Sequence, residues 1–361
     1  MNYLSTCPGP DPSFARWASG DPAFSMAPLV LAWEVTRACP LRCVHCRADA
    51  RPRRDSRELS TLEGFSLIDE AAAIGTRVMV LTGGDPLARP DIFDLLGRAH
   101  ATGMHVGFSP SVTGRLRNKT LARAVEAGAD TIHLSLDGAT AATHDGFRGV
   151  AGHHARTLRA IADAASLDVR LQVATTVSRR NLGELPAIAE LLEGLASSWT
   201  LFFLVTTGRA RAGDQVDPST EDLVLEWLAT TPFPFTVRTT EAPRFRRILA
   251  RHGRPVPRGV TDGNGFCFVS HVGDVQPSGF LPVTAGNVRD RPLRWWYRHH
   301  PLFVSLRDLG QRGGACGRCP DLSICGGSRA RAWAATGDPL GEDPTCTLQE
   351  RGVGATSPAQ D

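Results

Sequence analysis

An α/β fold built around a parallel sheet is predicted by three observations. Short β-rich runs alternate with helical patterns from residue 29 to residue 205. The helical stretches between them run about 10 to 15 residues, the length that a crossover between parallel strands needs. The chain has 361 residues, 42% of them hydrophobic, enough to bury one large core or one large and one small.

Taken in order, strands are predicted over residues 29–35, 77–81, 104–108, 131–136, 169–177 and 200–205. Between the first two, Ser60 and Glu63 have the spacing of a capping box and Gly75 closes the helix, with Leu62, Phe65, Leu67 and Ile68 assigned to its inner side. Polar, Gly-containing residues 206–217 break the rhythm. Beyond them helices are predicted over 220–229 and 242–252, a Pro/Gly stretch over 253–265 and a short hairpin over 266–276. The chain is thereby divided into a proline-rich leader (1–28), a strand–helix domain (29–205), a connecting α/β segment (206–265), a cysteine-rich C-terminal domain (266–350) and a disordered tail (351–361).

Composition excludes several functions. The net charge is +3 and the basic residues are spread along the chain, so no nucleic-acid partner is expected. No run of about 18 apolar residues occurs, and residues 1–26 lack the basic start and apolar stretch of a signal peptide. The reading is a cytoplasmic protein with no membrane partner. Lys119 is the single lysine, which leaves a pyridoxal phosphate Schiff base almost nowhere to form. Of nine cysteines, seven fall into two tight groups, a pattern of metal binding rather than of disulfides.

The first group is Cys39-Pro-Leu-Arg-Cys43-Val-His-Cys46, directly after the first strand. Three thiolates on one loop can ligate three irons of a cubane and leave the fourth iron to an exogenous ligand. The competing assignment is zinc completed by His45, in which adjacent His45 and Cys46 make a strained chelate.

Cys39-x3-Cys43-x2-Cys46 at the end of a first strand resembles the radical S-adenosylmethionine superfamily. The resemblance implies a partial (β/α)6 barrel, a four-iron, four-sulfur (4Fe-4S) cluster on Cys39, Cys43 and Cys46, and S-adenosylmethionine chelated to its open iron. Gly83-Gly84-Asp85-Pro86 looks like the family's Gly-Gly-Glu-Pro segment, whose backbone pairs with the cofactor's amino group. Glycines there let the chain approach a ligand closely. Ser111 after the third strand, and Ser135 and Asp137 at the end of the fourth, match positions where relatives contact the cofactor. His144-Asp145-Gly146-Phe147-Arg148-Gly149 also resembles them, with no role assigned to Arg148. The chemistry implied is reductive cleavage of S-adenosylmethionine to a 5'-deoxyadenosyl radical, which abstracts hydrogen from an unreactive carbon. A reducing partner such as a flavodoxin or ferredoxin is implied with it.

The second group is Cys316, Cys319, Cys325 and Cys346. Four thiolates can close the shell of an electron-transfer cluster or of tetrahedral zinc. The C-x2-C-x5-C spacing with a distant fourth cysteine resembles the SPASM extension of radical enzymes, and that resemblance implies one auxiliary 4Fe-4S cluster on these residues. A second auxiliary cluster is not expected. Ser278 and Arg329 stand where the full pattern has cysteine, and a protonated guanidinium offers iron no lone pair. Cys267, the remaining member of that inner set, is expected to ligate no cluster, and Cys7 is read as an incidental thiol.

Gly279-Phe280-Leu281-Pro282, Ala285 to Arg289 and Cys325 to Ala332 look similar to segments of enzymes of heme d1 synthesis and the alternative heme pathway, which act on propionate side chains of tetrapyrroles. The small-molecule substrate implied is a tetrapyrrole carboxylate, and abundant arginine suits carboxylate recognition. The wider SPASM group implies a ribosomally made peptide as the alternative substrate. A zinc-stabilised, non-catalytic binding protein is the alternative of another class. His153-His154 and His299-His300 are read as solvated loop histidines.

Overall fold

The computed structural model describes residues 22–257 and 259–348. Most of the expected leader, Cys7 and the expected tail lie outside the described residues. All six predicted strands are present: β1 Val30–Glu34, β2 Val78–Thr82, β3 His105–Phe108, β4 Thr131–Ser135, β5 Arg170–Val177 and β6 Ser198–Phe203. The row continues into β7 Thr236–Thr240, which the sequence reading left unassigned. Its five residues carry one apolar side chain, Val237, too weak a pattern to register as a strand. After it come β8 Thr261–Asp262, β9 Gly265–Val269, β10 Asp274–Gln276 and β11 Gly286–Asn287.

The sheet order is β11-β10-β9-β1-β2-β3-β4-β5-β6-β7, with β8 beside β9. From β1 to β7 every neighbouring pair is parallel. This is an α/β fold of the partial-barrel type. The predicted hairpin exists as β9 and β10, and it joins the same sheet: β9 runs parallel to β1 with Leu31 opposite Cys267. Both β1 and β9 read as near-continuous apolar runs, as strands flanked and covered on both sides do.

Alternation sorts the two faces of β4 to β6. Ile132, Leu134, Leu171, Val173, Val177, Trp199, Leu201 and Phe203 are buried in the main core with apolar residues of the crossover helices. His133, Ser135, Gln172, Ala174, Thr176, Ser198 and Phe202 point the other way and stay partly accessible. In the helix Thr61–Ile74 the capping box of Ser60 and Glu63 and the left-handed Gly75 (φ 103°) are as predicted. Leu62 is not on its inner side: it is exposed, while Gly64, Leu67, Ile68 and Ala71 are buried about half a turn away. Among the described residues no helix is long and apolar enough to cross a membrane.

Candidate active site

In a parallel α/β sheet, ligands gather at the carboxyl ends of the strands. The loop carrying Cys39, Cys43 and Cys46 leaves β1 at that end. It is fixed at several points: Cys39 N–H donates to the Arg51 carbonyl (2.7 Å), Val44 N–H to Phe147 (3.0 Å), and Arg209 binds the Cys43 carbonyl through Nε (2.9 Å). Gly208, at φ 60°, brings the 206–209 turn so close that a Cβ would stand 2.3 Å from the Cys46 carbonyl oxygen. Each sulfur has a polar neighbour. Cys39 Sγ lies 3.8 Å from Ser111 Oγ, Cys43 Sγ accepts from Arg148 Nη1 at 3.8 Å, and Cys46 Sγ accepts from Ala50 N–H at 3.4 Å. Burial pushes the Cys39 thiol up to about 11.

A cubane fits the chemistry of this donor set: three thiols on one clamped loop, with a cation and a backbone N–H aimed at two of the sulfurs. In such a cluster each thiolate takes its own iron. His45, the residue that would complete a zinc site, has one ring nitrogen turned to another partner. Its Nε2 faces Asp137 Oδ2 at 3.6 Å and its ring lies edge-on to Phe147.

Gly83 and Gly84 press against the same loop. A Cβ on Gly83 would meet the Thr36 carbonyl oxygen at 2.5 Å, and one on Gly84 the carbonyls of Arg37 and Ala38 at 2.7 Å. Gly84 N–H and Asp85 N–H donate to the Thr36 and Ala38 carbonyls, both at 2.7 Å. The Asp85 carboxylate is fully buried; it accepts from Thr113 Oγ1 (2.8 Å) and, across the turn Pro86–Ala88, from Leu87 N–H (3.2 Å). Ser111 donates to the Gly84 carbonyl at 2.6 Å. The Cys39 loop, the glycine segment and Ser111 thus form one hydrogen-bonded rim. Ser135 closes β4 on the partly accessible face.

Asp137 sits one step deeper. Its Oδ1 accepts from Thr176 N–H at 2.8 Å and its Oδ2 pairs with Arg148 at 2.5 Å. Burial alone would raise its carboxyl, but Arg148, His45 and His144 together hold it below the ordinary carboxylate range. Behind it His144 Nδ1 accepts from Asp137 N–H (3.0 Å), which leaves Nε2 toward His153 Nδ1 (2.9 Å). His153 therefore is no solvated loop residue: it is buried in the first turn of the helix His153–Ala165. Arg148, unassigned from sequence, is the residue that ties Asp137 to Cys43.

The C-terminal cysteines stand on the short helix Gly314–Gly317, which holds Cys316, and on the loops that meet it. Asp343 N–H donates to Cys316 Sγ at 3.3 Å, and a Cβ on Gly327 (φ 64°) would lie 3.0 Å from the same sulfur. The segments holding Cys325 and Cys346 are thereby drawn to Cys316, and Cys319 N–H donates to its carbonyl. Cys267 stands apart from this junction, fully buried in the main core, where burial pushes its thiol far up. Two residues that sequence reasoning passed over connect the halves. Glu34, wholly buried at the end of apolar β1, pairs with Arg47 (3.0 Å) and Arg37 (2.9 Å), and Arg47 reaches on to the Gly279 carbonyl and the Phe268 ring. A charged residue ending the run Val-Leu-Ala-Trp was the available signal.

A parallel sheet with a three-cysteine loop after its first strand and a glycine-rich turn after its second defines a class. Residues 33–192 match the model of the Radical SAM superfamily. The chain belongs to that superfamily and is a radical SAM enzyme, so the non-catalytic reading is set aside. It is 39% identical over 90% of its length to an AdoMet-dependent heme synthase from Methanosarcina barkeri, covering 97% of that protein. It is 31% identical to an Fe-coproporphyrin III synthase from the same organism, covering 90% of this chain and 89% of that one. Among solved structures it resembles Streptococcus suis SuiB bound to S-adenosylmethionine, with a TM-score of 0.70 at 16% identity over 90% of this chain and 78% of SuiB, a likeness of fold.

Proposed function

We propose that this enzyme acts on a carboxylate-bearing side chain of a heme-type tetrapyrrole. The observation that carries the reading is the 39% identity to a heme synthase across nearly the whole of both chains. Cys39, Cys43 and Cys46 would hold the catalytic 4Fe-4S cluster, and Cys316, Cys319, Cys325 and Cys346 one auxiliary 4Fe-4S cluster. When bound, the cluster and S-adenosylmethionine supply the 5'-deoxyadenosyl radical that takes hydrogen from the substrate.

The chain's own residues orient and shield. Gly83 and Gly84 keep the rim backbone close to the cysteine loop, because no side chain intervenes. Asp85 fixes that turn, Pro86 starts it, and Ser111 locks it to the third strand. Ser135 and Asp137 border the cofactor side, where Arg148 places a buried positive charge against Cys43. A flavodoxin or ferredoxin would deliver the electron in the cytoplasm.

The test is anoxic reconstitution followed by reduction with S-adenosylmethionine, with and without iron coproporphyrin III. Release of 5'-deoxyadenosine should rise with the tetrapyrrole, and the tetrapyrrole's mass should change. A rate indifferent to every tetrapyrrole offered would overturn the reading.

A further inference from the structure

One row of the sheet carries an unspent cation. Ser135 of β4 pairs with Ala174 of β5, Ala174 with Thr200 of β6, and Thr200 with Arg238 of β7. Directly paired residues of parallel strands share a face, so these four side chains lie in one line on the side opposite the crossover helices. Val237, the neighbour of Arg238, packs toward the helix-covered core instead.

Arg238 is exposed, and its guanidinium makes no hydrogen bond or ion pair to the described residues. The charges that reach it are of its own sign or neutral: Arg170 on the same face of β5, and His133, which burial first and then His105 and Arg238 hold down at about 4. Beside Arg238, Thr200 is only 5% exposed, and its hydroxyl is buried without a hydrogen-bond partner. A buried hydroxyl left unpaired costs about 1–3 kcal/mol, and the exposed guanidinium beside it is a cation with no counter-charge among the described residues. Both are repaired by the same ligand, an anion lying over the row. A carboxylate fits best, since a planar guanidinium fork meets both of its oxygens and a threonine hydroxyl can donate to one of them.

We propose that Arg238 and Thr200 form a carboxylate-binding subsite that anchors the substrate, three strands along the row from Ser135. This deepens the tetrapyrrole reading and rests on it for the identity of the carboxylate. A second carboxylate of the tetrapyrrole held at Arg238 would fix which side chain stands at the Ser135 end, where the radical is formed.

The experiment compares wild-type protein, Arg238→Gln and Thr200→Val after cluster reconstitution. Neither side chain has a protein partner to lose, so neither substitution should lower the melting temperature, and Thr200→Val, which removes an unpaired buried hydroxyl, should raise it. Coproporphyrin III affinity, read by fluorescence, should fall about tenfold or more in Arg238→Gln and severalfold in Thr200→Val. Affinity for its tetramethyl ester should not respond. Propionate alone is the second probe, followed by NMR saturation transfer from the protein, and its signal should drop in Arg238→Gln. Unchanged coproporphyrin affinity in Arg238→Gln overturns the subsite. If wild-type protein binds no coproporphyrin while the propionate signal still depends on Arg238, the subsite stands and the tetrapyrrole reading falls. If neither probe depends on Arg238, the subsite falls. Displacement of propionate by S-adenosylmethionine would assign the carboxylate to the cofactor and overturn the substrate role.

Discussion

Arg329 donates through Nη2 to the Cys316 sulfur at 3.8 Å. The same guanidinium binds the carbonyls of Gly327 (3.1 Å), Pro339 (3.0 Å) and Gly341 (2.6 Å), so a single buried cation joins the Cys325 loop, the Cys346 approach and Cys316. The residue standing where a further cysteine would be is thus built into the support of the remaining quartet. Arg329→Met should strip three carbonyls and a sulfur of their donor. We expect reconstituted iron to fall from about eight to about four per chain, with the loss confined to the auxiliary site. Iron and sulfide analysis checks this; full iron retention would show that the quartet needs no such brace.

Replacing Cys39, Cys43 and Cys46 together with alanine should likewise remove about four irons, and Cys43→Ala alone should abolish 5'-deoxyadenosine formation. Turnover that survives Cys43→Ala contradicts the cluster assignment.

Cys267→Ala should leave the iron content untouched and cost about 1 kcal/mol of stability, the usual penalty for a small cavity in a packed sheet. Cys346→Ala should do the reverse, losing about four irons. The opposite pattern of iron loss would place Cys267 in the auxiliary cluster instead.

Gly84→Ala would put a methyl group 2.7 Å from two carbonyl oxygens of the cysteine loop. Backbone cannot yield as a flexible side chain does, so the rim must open, with 5'-deoxyadenosine formation down at least about tenfold. Wild-type rates in this variant would mean that the rim is loosely held.

His144 is buried, and its ring is held down to about 3, by burial first and then by the Arg148 charge. Its folded pKa lies below that of the unfolded chain, so the unfolded chain takes the proton first. Stability is full above about pH 6.5 and is lost as the pH falls toward the folded value. The melting temperature should therefore be lower at pH 5 than at pH 7.5. His144→Asn should flatten that slope without abolishing it, because His45 and His153 are also held down, to about 4. An identical slope in the variant would exclude His144 as a contributor.

Local chemistry made the cysteine spacing, the Gly83–Gly84 turn, the Ser60–Glu63 cap and the six strands legible in the sequence, because each depends on residues a few positions apart. Long-range pairing was not legible in that way. Leu31 and Cys267 are neighbours across β1 and β9, so a cysteine that spacing left without a role is a core residue of the main sheet. The same holds for Arg148 against Cys43 and for Arg238 in line with Ser135 through two intervening strands. Periodicity says which face of an element is apolar; only the packed sheet decides which distant segment that element meets, and so which charges meet the cysteines and which are left free for a ligand.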